Sequence, residues 1–228
     1  MNYEIMKQSE NELHAEFIKF CDHVLDTWQI VLKWMKSNKV TQKEMEQIHK
    51  LEEVSNHYEA QIQDDCIWSI SKNEPLANHL RYVIAILNSI KDLERMADYA
   101  VSATRFMMNN KVSDDIRELI IDSAKAAISA ISKVFKALTT KTALDTYKIS
   151  QAARIAFRKE YDEMLERLSG ILKRRSAEQI ERLFQGAIII IKHTERLVDH
   201  VDNISENFVF IKQSDFFFTK QSKQWNKK

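Results

Sequence analysis

Two glycines and one proline in 228 residues constrain this chain more than any other feature. Tight turns in sheet proteins depend on residues that tolerate positive φ or lock φ, and Gly170, Gly186 and Pro75 are too few to build many of them. The chain is therefore expected to be all-α. The same scarcity excludes a phosphate-cradling loop or a dinucleotide turn, each of which needs several glycines close together. Cys21 and Cys66 lack the CxxC spacing of zinc or redox sites and imply no disulfide framework, which suits a reducing cytoplasm.

Hydrophobic residues make up 44% of the chain and charged ones 29%, enough to bury a core while staying in water. A net charge of +1 creates no field that would draw nucleic acid or a membrane over the whole surface. The opening MNYEIMKQSENEL has no cationic start followed by an apolar stretch. The longest aliphatic run, Ala187 to Ile191, falls far short of the ~20 residues that span a bilayer. These features predict a cytoplasmic protein.

Helix starts are legible where Ser or Thr precedes an acid or amide by three residues, since the pair satisfies free N–H groups in the first turn. Ser9 with Glu12, Thr41 with Glu44, Thr142 with Asp145 and Ser176 with Gln179 fit, and Asn73 ahead of Pro75 and Ser113 ahead of Asp114 are simpler starts. Breaks at Ser37-Asn38, Ser71 to Glu74, Asn109-Asn110, Thr139 to Lys141 and after Gly170 agree with them. Six long helices are expected, at 9–37, 41–71, 75–109, 113–139, 142–169 and 176–213. Short connections make neighbours antiparallel, giving two up-down-up triplets.

The third and sixth helices align at an offset of 101 residues, YVIAILNSIKDLERMAD against LFQGAIIIIKHTERLVD. Ile90, Lys91, Glu94, Arg95 and Asp98 recur as Ile191, Lys192, Glu195, Arg196 and Asp199. Because the matches fall on the third helix of each triplet, an internal duplication is the economical reading. It divides the chain into a first three-helix repeat at 1–110, a second at 111–213 and an aromatic and basic tail at 214–228.

On a helix, positions i and i+4 share a face, so Glu94 sits above Asp98 and Glu195 above Asp199. The second stripe continues through Asp202 and Glu206, whereas Ser102 and Arg105 hold the matching places in the first. Like charges at this spacing repel, which asks for compensation. A hard or borderline cation held by oxygen ligands, such as magnesium, manganese, calcium or iron, is one answer. Ordinary ion pairs with Arg95, Arg196 and lysines of adjacent helices are the other.

With these motifs in place, the chain resembles the PhoU family of phosphate-uptake regulators, two tandem three-helix bundles with an E/D-x-x-x-D motif in the third helix of each. Glu94 to Asp98 and Glu195 to Asp199 fit that motif. From Cys66 to Ala100, the positions Pro75, Leu80, Arg81, Leu93, Glu94, Arg95 and Asp98 stand as the family has them, and Asp199, His200, Asn203 and Glu206 are in register with its closing motif. The resemblance implies a non-catalytic regulator acting on a phosphate-specific ABC transporter and on a sensor histidine kinase where one exists. It also implies divalent, iron or zinc ions at the acidic patches, with Glu94, Asp98, Glu195, Asp199 and Asp202 as ligands and Glu52 and Glu59 contributed by the second helix. Membrane association would be peripheral, through those partners, and a homodimer stays open.

Two departures accompany the resemblance. His79 stands where the family has the Asp of Asp-Leu-Arg. The second helix of the first triplet offers Glu52, Asn56 and Glu59, whereas that of the second offers Arg154 and Arg158, which would neutralise a facing acidic patch. The first site is thus the stronger metal candidate.

Rival classes remain. Glu46 to His49 spells the E-x-x-H of di-iron bundles, but such sites need a second copy and the chain has none. A purely structural helical adaptor, whose acids meet only neighbouring side chains, is the third class. His57, His193 and His200 could join a patch, and Lys173, Arg174 and Arg175 complement a helix C-terminus. The tail, with Phe216, Phe217, Phe218 and Trp225 among lysines, could cap the bundle end or meet a partner or membrane.

Overall fold

In a computed structural model of the chain, the described residues are 3–37, 40–75, 78–110, 112–178, 180 and 187–210. They form six helices and no strand: α1 (Tyr3–Lys36), α2 (Gln42–Asn73), α3 (Asn78–Asn109), α4 (Asp114–Thr140), α5 (Ala143–Leu172) and α6 (Ala187–Phe210). The capping box at Thr41 and Glu44 is formed at the start of α2, and the Thr142 hydroxyl accepts from the Asp145 N–H at the start of α5. In each case the side chain satisfies donors that the first turn leaves free.

Several described boundaries differ from expectation. Helix α1 begins at Tyr3, so Ser9 lies inside it, and its hydroxyl is 3.2 Å from that of Ser69 on α2. A Ser–Glu pair spaced for a cap suits a helix face equally well. Helix α5 runs through Gly170 to Leu172; a lone glycine weakens a helix without having to end it. Of the expected 176–213 helix, Gln179 and residues 181–186 and 211–213 lie outside the described residues, and α6 is described from Ala187. Helix α2 ends on a left-handed residue that is not glycine, Glu74 at φ 44°, whose N–H bonds to the Ile70 carbonyl.

Cross-helix bonds give the directions. The pairs Ser9–Ser69 and His23–Ser55 make α2 antiparallel to α1, and Glu10–His79 with Trp28–Met96 makes α3 parallel to α1. In the second triplet, Arg167–Asp122 and Thr146–Ala137 run α5 antiparallel to α4, and α6 packs on both. Each triplet is an up-down-up bundle. The two join where α3 packs on α6 and α1 on α4.

One continuous apolar core fills both triplets, with Phe17, Phe20, Trp28, Ile86 and Leu93 in the first and Ile116, Ile131, Leu197 and Ile204 in the second. Burial of each such side chain contributes ~1.5–3 kcal/mol. The Trp28 indole, fully buried, donates to the Met96 carbonyl at 2.8 Å, so its own N–H is not stranded inside. This core fixes the rotation of α3 and α6 and hence the direction in which their acids point.

Candidate functional site

Glu94 and Asp98 lie on α3, near enough to α2 for the charge of Glu59 to act on Glu94 and that of Glu52 on Asp98. The four carboxylates predicted for the first site therefore share one neighbourhood without converging on a point. Glu94 and Asp98 are half-buried and hydrogen-bonded to each other. Partial burial, followed by the charges of Asp98 and Glu59, raises the Glu94 carboxyl from its ordinary 4.5 to about 7. Burial and then Glu52 raise Asp98 as well. Among the described residues no lysine, arginine or histidine forms an ion pair with either, while Glu52 pairs with His49 at 3.1 Å. The E-x-x-H histidine thus serves its own helix as an i,i+3 partner.

The second site has a different chemistry. Arg158 and Lys192 both bond to Glu195, and Arg154 reaches Asp199 at 3.5 Å and Asp202 at 3.2 Å. Asp202 is buried and also accepts from Ser150 at 2.9 Å and Gln151 at 2.7 Å. For Glu195, burial pushes the carboxyl up, but the Lys192 and Arg158 bonds together outweigh it and hold it below the ordinary value. Glu206 has only a distant share of this relief, and burial with Asp202 beside it raises its carboxyl. Among the described residues, two carboxylates on one helix face are thus left without an ion pair in the first triplet and neutralised in the second.

Ligand geometry is a stricter test than proximity. Among the described residues no three His, Cys, Asp or Glu side chains converge so as to hold a metal ion. The donor set of the first patch suits a hard cation, but its arrangement is not a preformed metal centre. His57 is exposed on α2, and Arg175 bonds Ser113 and Asp115 at the start of α4.

Sequence reasoning missed a polar seam where α3 crosses α6. The His200 ring lies between Asp92, at 2.7 Å from Nδ1, and the Tyr99 hydroxyl, at 3.3 Å from Nε2. Tyr99 in turn stacks on His193, with ring centroids 4.4 Å apart and planes 15° from parallel. At the 101-residue offset Asp92 corresponds to His193 and Tyr99 to His200. The contacts 92–200 and 99–193 are therefore one contact made twice about a local pseudo-two-fold axis. The alignment held the signal, in positions that differ between the copies rather than in those that match.

Among the described residues no helix is long and apolar enough to cross a membrane. The family model described as the PhoU domain matches residues 18–107. The chain is 32% identical to the uncharacterized protein MG409 of Mycoplasma genitalium, over 95% of this chain and 98% of that one. It is 26% identical to the phosphate-specific transport system accessory protein PhoU homolog of Streptococcus pneumoniae, over 90% of this chain and 94% of the relative. The crystal structure of the phosphate transport system regulatory protein PhoU from Streptococcus pneumoniae superposes with a TM-score of 0.77 at 23% identity, covering 92% of this chain and 98% of that one. Helix count, order and packing are thus shared across the chain.

Proposed function

Because the chain belongs to the PhoU family, we propose that it is a cytoplasmic, non-catalytic regulator of phosphate uptake. It acts on a phosphate-specific ABC transporter and, where one exists, on the sensor kinase that reads phosphate supply. The observation that carries this reading is the asymmetry of the two acidic patches. The second is closed by Arg154, Arg158 and Lys192, whereas among the described residues the first presents Glu94 and Asp98 without an ion pair, the charge of Arg95 offsetting that of Glu94 only in part. An open acidic face receives positive charge, and basic side chains of the transporter supply it.

The helices provide the reach. A helix of 34 residues such as α1 extends ~50 Å at about 1.5 Å per residue, so one end can hold a membrane-bound partner while the other stands in the cytoplasm. A hard metal ion on the same carboxylates would compete with that partner.

Retention of the purified chain on membranes that contain the transporter tests the reading. Retention is expected, with loss on Glu94→Ala/Asp98→Ala substitution and weakening on added magnesium. Equal retention of the variant would remove the first patch from the interface.

A further inference from the structure

At the far end of the first triplet, α1 and α2 leave a groove of about 340 Å³ lined by Ser9, Glu12, Leu13, Glu16, Asp65 and Trp68. Trp68 is 54% exposed and its neighbour Ile67 50%, an unusual display of apolar surface on a helix whose other face enters the core. Among the described residues Asp64 and Asp65 have no ion pair, Glu12 meets only Gln8, and Glu16 meets only Lys19. Burial, followed by Glu16, Asp64 and Glu12, raises the Asp65 carboxyl. The groove therefore has a half-exposed indole, an apolar floor at Leu13 and an acidic rim on which, among the described residues, Glu12 and Asp65 have no ion pair while Glu16 is paired with Lys19.

Helix α6 delivers the chain to the same end. Phe208 packs on Phe17 of α1, with centroids 5.3 Å apart, and on Tyr82 of α3 at 6.2 Å. Tyr82 in turn lies against His14. Phe17 follows Glu16 directly and is one helical turn from Leu13, so the described chain stops about one helix diameter from the groove. Residues 211–228, IKQSDFFFTKQSKQWNKK, lie outside the described residues and contain five lysines against one acid, with Phe216, Phe217, Phe218 and Trp225. Extended, these 18 residues reach up to ~60 Å.

We propose that segment 211–228 docks into the α1–α2 groove of its own chain, its lysines on the Glu12, Glu16 and Asp65 rim and its aromatic rings against Trp68 and Leu13. Charge sign, apolar character and point of exit all match, and a tethered segment acts at an effective concentration of about mM. Docked, it covers the apolar surface of the first triplet and excludes other basic or aromatic segments from that groove. The proposal does not depend on the phosphate reading, because the groove is distinct from the Glu94 patch.

Carbodiimide coupling joins a lysine to a carboxylate only where the two touch. Applied to an equal mixture of ordinary and nitrogen-15-labelled full-length chain, it is expected to link Lys220 or Lys223 to Glu12, Glu16 or Asp65 within single molecules. Glu12→Gln/Asp65→Asn substitution, at two exposed positions that leave the core untouched, is expected to abolish the links to those two sites. Helical content measured alongside confirms that this variant folds. Links from tail lysines to Glu94 or Asp98, links between differently labelled molecules, or unlinked tail lysines in a chain that floats with phosphatidylglycerol vesicles would each overturn the proposal.

Discussion

The Glu94 carboxyl is raised to about 7 because it is half-buried near Asp98 and Glu59, and the charge of the adjacent Arg95 offsets this only in part. Its carboxyl titrates at about 7 in the folded chain and at its ordinary 4.5 when unfolded, so between these values the folded state binds more protons. Stability is then full below about pH 4.5 and falls as pH rises to about 7, beyond which the loss is constant. Asp98, also raised, adds in the same direction. Glu94→Gln keeps the hydrogen-bonding shape without the charge. It is expected to raise the urea midpoint at about pH 8 and leave it nearly unchanged at about pH 4.5. A variant less stable than the parent at the higher pH would show that Glu94 is paired in solution. The residues themselves were legible in sequence, since i,i+4 spacing alone puts Glu94 over Asp98. Which patch would be open was legible only in part: Arg154 and Arg158 were readable as neutralising residues, but Ser150, Gln151 and Lys192 join them through packing that spacing does not encode.

Among the elements, α3 and α6 matter most because they carry both acidic stripes and also join the two triplets. Their seam combines apolar contact with the Asp92–His200–Tyr99 chain of hydrogen bonds. His200 is buried, so its bonds are made at the expense of water and removing one partner strands the other. A double-mutant cycle of Asp92→Ala and His200→Ala is expected to give a coupling of about 1 kcal/mol or more in equilibrium unfolding. Coupling near zero would mean that the hydrogen bond is not formed in solution. Six helices and their order followed from cap spacing and scarce glycine, and the duplication from five matched positions. The seam did not, because an axis between two copies pairs unlike positions, and identity scoring passes over unlike positions. The continuation past Gly170 was missed for a related reason: a single glycine is a local preference of ~1 kcal/mol or less, and the packing of Ile171 and Leu172 on the core overrides it.

At the scale of the whole molecule, the two up-down-up triplets differ in the charge that faces their acidic stripes. The second acidic patch is held shut by its own arginines, and the proposed function takes the first as the face that meets the transporter. The most direct test is phosphate uptake in cells whose only copy of this chain carries Glu94→Ala/Asp98→Ala, beside cells carrying Glu195→Ala/Asp199→Ala and cells lacking the chain, with protein levels matched. Uptake in the first-patch variant is predicted to lose its response to phosphate supply as fully as in cells lacking the chain, while the second-patch variant retains that response. Normal control of uptake in the first-patch variant would contradict the assignment of that patch as the regulatory face.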